Sequence, residues 1–355
     1  MGIGATELHF ILQEHLYRPI SGEIVTIGKQ SISLPPTSLA HLLGVYGLRP
    51  KTQSVGVNQA DQHLAGASMD DQSFFDSFTT CRVHSADISP YEGATHVFDI
   101  CGEVPAELRN RFDFVFDGGS LDNVFDPVRM LSNMAIMTKP GGRMFITAWS
   151  NSHPTAYAKI TPDWLMDYCA VNEFADCKLY IVQYQSVFDD PEDVRPMSVW
   201  QYSPLVEYSG MIGYECSSII TRQPLQIYAI LEKGTASTNE RTAVQKHYRG
   251  DQTEPYLASI GRFNRSSRPP FTPFFTDPPL PPISSLGTVK LLGHFLVPGL
   301  PQPAKITIPE YVPPPAEPEP TPPAESEPAP QAGPGNAPQA EPVHIPQGRP
   351  FKGTA

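Results

Sequence analysis

The sequence predicts an α/β fold: a mostly parallel sheet of seven strands with flanking helices and an antiparallel edge strand, followed by a Pro-rich disordered tail. Two observations carry the sheet. Arg111 to Ala148 reads as strand, turn, short helix, Lys-Pro-Gly-Gly turn and strand, which is one βαβ unit. Around it, compact apolar runs alternate with stretches of helical periodicity, the sequence mark of a parallel sheet with helices on its faces. A third observation carries the tail. Val312 to Pro350 is nearly all Pro, Ala, Glu, Gln and Gly, and cannot bury enough apolar surface to offset its ordering entropy.

In chain order, Thr6 to Leu16 places Leu8, Ile11, Leu12 and Leu16 on one helical face. Pro19 and Gly22 close that helix, and Glu23 to Gly28 is the first strand. Thr37 to Leu48 reads as a helix, Lys51 to Ser68 as a polar loop, and Asp70 to Phe78 as a second helical patch. Arg82 to Ile88 and Thr95 to Ile100 are the second and third strands.

Phe112 to Phe116 is bulky and apolar with one acid, as a buried strand should be. Asp117-Gly118-Gly119-Ser120 then supplies turn and cap residues. Val128 to Met137 is a helix with Pro127 at its start, ended by Lys139-Pro140-Gly141-Gly142 before the strand Arg143 to Ala148. Thr161-Pro162-Asp163 starts another helix, with Trp164, Leu165 and Tyr168 toward the core. Cys177 to Val187 and Leu225 to Glu232 are the sixth and seventh strands, and Asp189 to Tyr214 reads as loop. Thr242 to Tyr256 supports one short helix, and Leu286 to Val297 is an apolar island suited to a strand or a docking segment. The predicted divisions are 1–20 (helix), 21–235 (domain), 236–300 (extension with little regular structure) and 301–355 (tail).

Composition narrows the function. A formal charge of -12 disfavours a nucleic-acid partner, because phosphate contact needs a basic face. The five cysteines show no metal-ligand spacing, so no metal is expected. No basic-then-apolar leader opens the chain and no window approaches the length of a membrane span, so a cytoplasmic location is expected. Walker A, HExxH, GxSxG and strict GxGxxG patterns are absent, against P-loop, zincin, hydrolase and nicotinamide-dinucleotide readings.

FDFVFDGGSLDNVFDP followed by LSNMAIMTKPGGRMFI resembles the second half of class I S-adenosylmethionine-dependent methyltransferases, of the type 11-like kind. EIVTIG resembles their first strand, although Gly28-Lys29-Gln30 stands where most of the family continue as GxGxG. The resemblance covers residues 20 to 235 and implies a Rossmann-like sheet with S-adenosyl-L-methionine as cofactor. By position it implies cofactor contacts at Gly28, Lys29 and Gln30, ribose binding at Asp87 beside Ile88, and adenine contact at Asp99 beside Ile100. It also places Asp117, Gly118 and Gly119 at the cofactor or acceptor pocket.

Methyl transfer from a sulfonium needs alignment and water exclusion, with a base only where the acceptor must lose a proton. Asp122-Asn123 replaces the Glu-His pair of many relatives, which leaves His153 and Asp117 as candidate catalytic groups. The expected function is methyl transfer to a small or sugar-like acceptor. The alternative is an inactive methyltransferase-like binding module whose Pro-rich tail meets a protein partner.

Overall fold

The structure is a computed structural model; it describes residues 2–34, 36–51, 56, 69–151, 156–184, 197–204, 223–245, 248–272 and 289–295. The tail and His153 lie outside the described residues. So does most of the loop predicted at Lys51 to Ser68.

The chain opens with β1 (Gly2–Ile3) and α1 (Ala5–Tyr17), then β2 (Glu23–Ile27), β3 (Ser31–Ile32), α2 (Pro36–Val45), α3 (Asp71–Asp76), β4 (Arg82–Asp87) and β5 (His96–Val97). It continues through β6 (Phe112–Gly118), α4 (Pro127–Met137), β7 (Thr138–Trp149), α5 (Pro162–Val171), β8 (Asp176–Gln183), β9 (Met197–Tyr202), β10 (Leu225–Glu232), α6 (Thr253–Asn264) and β11 (Val289–Phe295). β1 and β3 form a small parallel pair. The other nine strands form one sheet in the order β11-β9-β8-β10-β7-β6-β2-β4-β5.

From β5 through β4, β2 and β6 to β7 every pairing is parallel. β10 enters antiparallel between β7 and β8, and the far edge, β8 to β9 to β11, is antiparallel throughout. The predicted mostly parallel sheet with an antiparallel edge is therefore present, with β9 and β11 added to the expected seven strands.

Alternation along the strands divides the core in two. Ile24, Phe114, Phe116 and Phe145 face α1, α2 and α3, while Val25, Ile27, Val115, Met144 and Ile146 face α4, α5 and α6. The cap predicted at Thr161 forms, its Oγ1 accepting from Trp164 N at 3.3 Å, whereas α4 is capped by Asp126, whose Oδ1 accepts from Arg129 N at 3.0 Å, and not by the Asp117 to Ser120 turn; each cap stands ahead of a proline at the first turn.

Several local expectations are corrected. The third strand is only His96–Val97, not Thr95 to Ile100, because the chain turns away after Asp87 and leaves room for two paired residues. Lys139 to Gly142 does not separate α4 from the next strand but lies inside β7. There Gly141 at φ +82° shifts the β6 pairing from Phe112–Thr138 to Phe114–Arg143. Leu16, expected on the buried face of α1, is 52% exposed. Within the segment read as loop, Met197–Tyr202 is a strand with Val199 and Trp200 buried.

The extension after residue 235 also carries more structure than its composition suggested. The helix there runs from Thr253 to Asn264 and packs Tyr256, Ile260 and Phe263 against α5 and β8. Beyond it Phe271 stacks on Phe10 of α1, ring centroids 3.9 Å apart. Buried Arg268 binds Glu14, and its other nitrogens reach Asp176 and Glu232, each at 2.9 Å. Glu14 also holds buried Arg143 of β7 at 2.5 Å. This charged cluster joins α1, β7, β8, β10 and the extension.

Candidate functional site

In an open parallel sheet the ligand crevice forms at the carboxyl ends of neighbouring strands whose connections leave in opposite directions. Here that point lies between β2 and β6: β2 leads outward to β4 and β5, and the chain returns on the other side as β6 and β7. The predicted residues gather around it.

The turn after β2 is tied to both neighbours. Gly28 has φ +71° and donates its N–H to Ala86 O at 2.7 Å, while Ser120 Oγ donates to Ile27 O at 3.2 Å. A side chain at Gly28 would be strained in that backbone conformation. Lys29 points toward α3, its Nζ 2.7 Å from Oδ1 of buried Asp71, whose Oδ2 accepts from Thr26 Oγ1 at 3.1 Å. Gln30 folds inward and is wholly buried. Its Nε2 donates to Ile27 O at 2.8 Å and to Gly28 O at 3.1 Å.

On the β6 side, Asp117 is buried and its carboxylate accepts from Ser120 N at 2.7 Å and Leu121 N at 3.0 Å. Burial pushes its pKa up to about 7, although these two amides and the Ser120 hydroxyl favour the anion. Gly119 has φ +110°, and a Cβ on Gly118 would meet Gln30 Oε1 at 2.4 Å. The two glycines therefore have distinct roles: Gly119 makes the turn, and Gly118 makes room for the Gln30 carboxamide.

Asp87 and Ile88 end β4 at the same rim. Asp87 Oδ1 accepts from Ser89 N at 3.0 Å, its other oxygen meets no donor among the described residues, and Ile88 is exposed. Phe98 N donates to Asp87 O at 2.9 Å, which brings the Asp99 loop alongside. Asp99 is exposed and accepts from Cys101 N at 2.8 Å. Buried Asn133 of α4 fixes this loop by donating to Ile100 O and Gly102 O. Thus Gly28, Asp87, Asp99 and Asp117 to Gly119 share one rim, whereas Lys29 is directed away from it to Asp71.

Sequence reasoning missed two residues here. Asp122, noted only as a substitute for Glu-His, is buried and accepts from Trp149 N at 2.7 Å, joining the β6 turn to the end of β7. Thr147 lies beside Gly118 in the sheet, buried and with no partner for its hydroxyl. Only the strand register reveals its position. A separate groove of about 720 Å³ opens between α4, α5 and residues 239–245, but none of the candidate cofactor contacts from Gly28 to Gly119 lines it.

No family model matches the chain, and no curated protein matches it in sequence. Solved structures do resemble it. Phosphoethanolamine N-methyltransferase 2 of Haemonchus contortus, solved with phosphomonomethylethanolamine and S-adenosylhomocysteine, aligns over 64% of this chain and 53% of its own, at 12% identity and TM-score 0.33. 1,6-didemethyltoxoflavin-N1-methyltransferase of Burkholderia thailandensis, solved with its substrate and S-adenosylhomocysteine, aligns over 63% and 76%, at 14% identity and TM-score 0.29. A protein assigned as a zinc-dependent alcohol dehydrogenase of Rhodobacter sphaeroides aligns over 43% and 50%, at 16% identity and TM-score 0.24.

The chain spans about half the length of the first of these. Scores this low carry no argument, and the strand order is read by itself. A dinucleotide-binding sheet runs in the order 3-2-1-4-5-6. Here antiparallel β10 separates β7 from β8, so the sheet does not follow that order.

Proposed function

We propose that the chain binds S-adenosylmethionine at the β2–β6 crevice and transfers its methyl group to a small acceptor. The observation that carries this reading is the sheet order, with antiparallel β10 between β7 and β8 and the crevice opening at Gly28 and Gly118. The rim chemistry fits the cofactor. The half-buried Asp87 carboxylate has acceptor capacity for a ribose diol, and exposed Ile88 offers an apolar surface beside it.

The cofactor would supply the activated methyl group. The chain's part is to hold the donor between β4, β2 and β6 and to keep the Asp117 turn rigid beneath it. Asp117, its carboxylate spent on two backbone donors, acts here as a brace and not as a base. Calorimetry with S-adenosylmethionine and S-adenosylhomocysteine tests the reading. Micromolar-range binding weakened at least about tenfold by Asp87→Ala, roughly 1.4 kcal/mol, is expected; no binding of either compound defeats it.

One observation favours a second reading, a methyltransferase-like binding module. Lys29 is spent on Asp71, and Gln30 fills the space beside Gly118. A melting temperature unmoved by saturating cofactor would select this reading. No helix among the described residues is long and apolar enough to cross a membrane. For residues 301–355 we propose a proline-binding protein partner in the cytoplasm, tested by comparing pull-downs with and without that segment.

A further inference from the structure

One row of residues crosses the sheet near its ligand edge. Gly118 of β6 pairs with Thr147 of β7, and Thr147 pairs with Tyr228 of β10. Two residues earlier, Phe116 and Phe145 pair in the same register and stack at 5.4 Å on the face toward α1 to α3. Side chains alternate along a strand, so Thr147 and the missing side chain of Gly118 lie on that same face.

Into the notch left by Gly118 projects Gln30 Oε1. The carboxamide has one orientation, because both Nε2 hydrogens are engaged by Ile27 O and Gly28 O. Its oxygen is therefore a fixed acceptor, and it has no partner. Thr147 Oγ1, on the neighbouring strand, has none either, and both side chains are wholly buried. Two orphaned polar atoms at one place are costly in a folded core unless a bound group completes them.

We infer that Gln30 and Thr147 form a buried seat beside Gly118 for a hydrogen-bond-donating group of the bound ligand, an ammonium or a hydroxyl. The inference rests on the proposed crevice for its place in the molecule. Either group satisfies both atoms: an ammonium donates to each, and a hydroxyl donates to Gln30 and accepts from Thr147. A carboxylate or phosphate is refused, since it would set oxygen lone pairs against Gln30 Oε1.

The donating group comes from the amino end of the cofactor or from the methyl acceptor, and calorimetry on the full chain separates these sources. S-adenosylhomocysteine is compared with its deaminated analogue on wild type, Thr147→Val and Gln30→Met. Thr147→Val removes no hydrogen bond, so that variant retains the fold. If the cofactor's amino end fills the seat, wild type prefers the amino form by about tenfold, and each variant reduces the preference below about threefold. If the acceptor fills it, the preference stays near one in all three proteins. Then ethanolamine or glycerol, but not acetate, shifts the Thr147 methyl NMR signal of the S-adenosylhomocysteine complex, and Gln30→Met abolishes the shift.

A tenfold preference that survives both variants overturns the inference. So does the absence of both the preference and the methyl shift, which leaves water alone in the seat. Failure of S-adenosylhomocysteine to bind at all would instead count against the cofactor reading. In that event the Thr147 methyl response to ethanolamine against acetate, on unliganded protein, still decides whether the seat takes a donor.

Discussion

Lys29 Nζ lies 2.7 Å from Oδ1 of Asp71, across 42 residues of chain, and so clamps the turn after the first strand to helix α3. Asp71 is almost fully enclosed, and its remaining hydrogen bonds come from Thr26 Oγ1 and the amide of Gln72. Removing the lysine leaves an unpaired carboxylate in the core. Lys29→Met is expected to destabilise the protein by about 3 kcal/mol, read as a lower urea midpoint at unchanged slope. An unchanged midpoint would return Lys29 to the role of a ligand contact.

Gly28 and Gly119 both sit at positive φ, and their replacement tests the crevice backbone directly. Gly28→Ala should cost about 1–2 kcal/mol, with Gly119→Ala at least as costly. Gly118 is different, because its constraint is the adjacent Gln30 and not its own backbone. Gly118→Ala combined with Gln30→Ala should recover stability relative to Gly118→Ala alone, as a double-mutant cycle would show.

Burial pushes the Asp117 carboxyl up to about 7 from an ordinary value of about 4, and this fixes a pH dependence. Between those values the folded chain binds more protons at this residue than the unfolded chain does. The contribution of Asp117 to stability therefore falls as pH rises from about 4 to about 7, by a total on the order of 4 kcal/mol. Denaturant titrations across pH 4 to 8 should show this component in wild type and lose it in Asp117→Asn. Equal slopes in the two proteins would refute it.

Phe271 carries the extension into the core through its stack on Phe10, and it also packs against Tyr180. Phe271→Ala should cost about 3–5 kcal/mol by thermal or urea unfolding. A chain ending at residue 235 loses this ring together with Arg268 and α6. It should show no cooperative transition, whereas a sharp melt would place the domain boundary at 235.

What the sequence disclosed follows from the range over which each signal acts. The strand Leu225–Glu232 was legible to the residue, since eight mostly bulky apolar positions between turn signals leave no other reading. The cap at Thr161 was legible because a cap acts within three residues. β9 was not: Met-Ser-Val-Trp-Gln-Tyr is neither a strict alternation nor an unbroken apolar run, and its pairing with β8 and β11 decides its state. The part of the extension that packs into the core was hidden by its prolines, although Arg268 and Phe271 both end up buried. At the crevice, family likeness marked the rim. The partners of Lys29 and the neighbours of Thr147 depend on contacts that no local pattern encodes.

Arg268 and Glu14 form a buried ion pair across 254 positions of sequence. During synthesis the amino-terminal helix must therefore wait for almost the whole domain before its buried carboxylate gains its second guanidinium. Closing so long a loop is slow relative to local pairing, and the sheet edge and α1 stay uncovered meanwhile. The nascent chain is thus most exposed to aggregation just before residue 271 emerges, and a chaperone would have the most to do at that point.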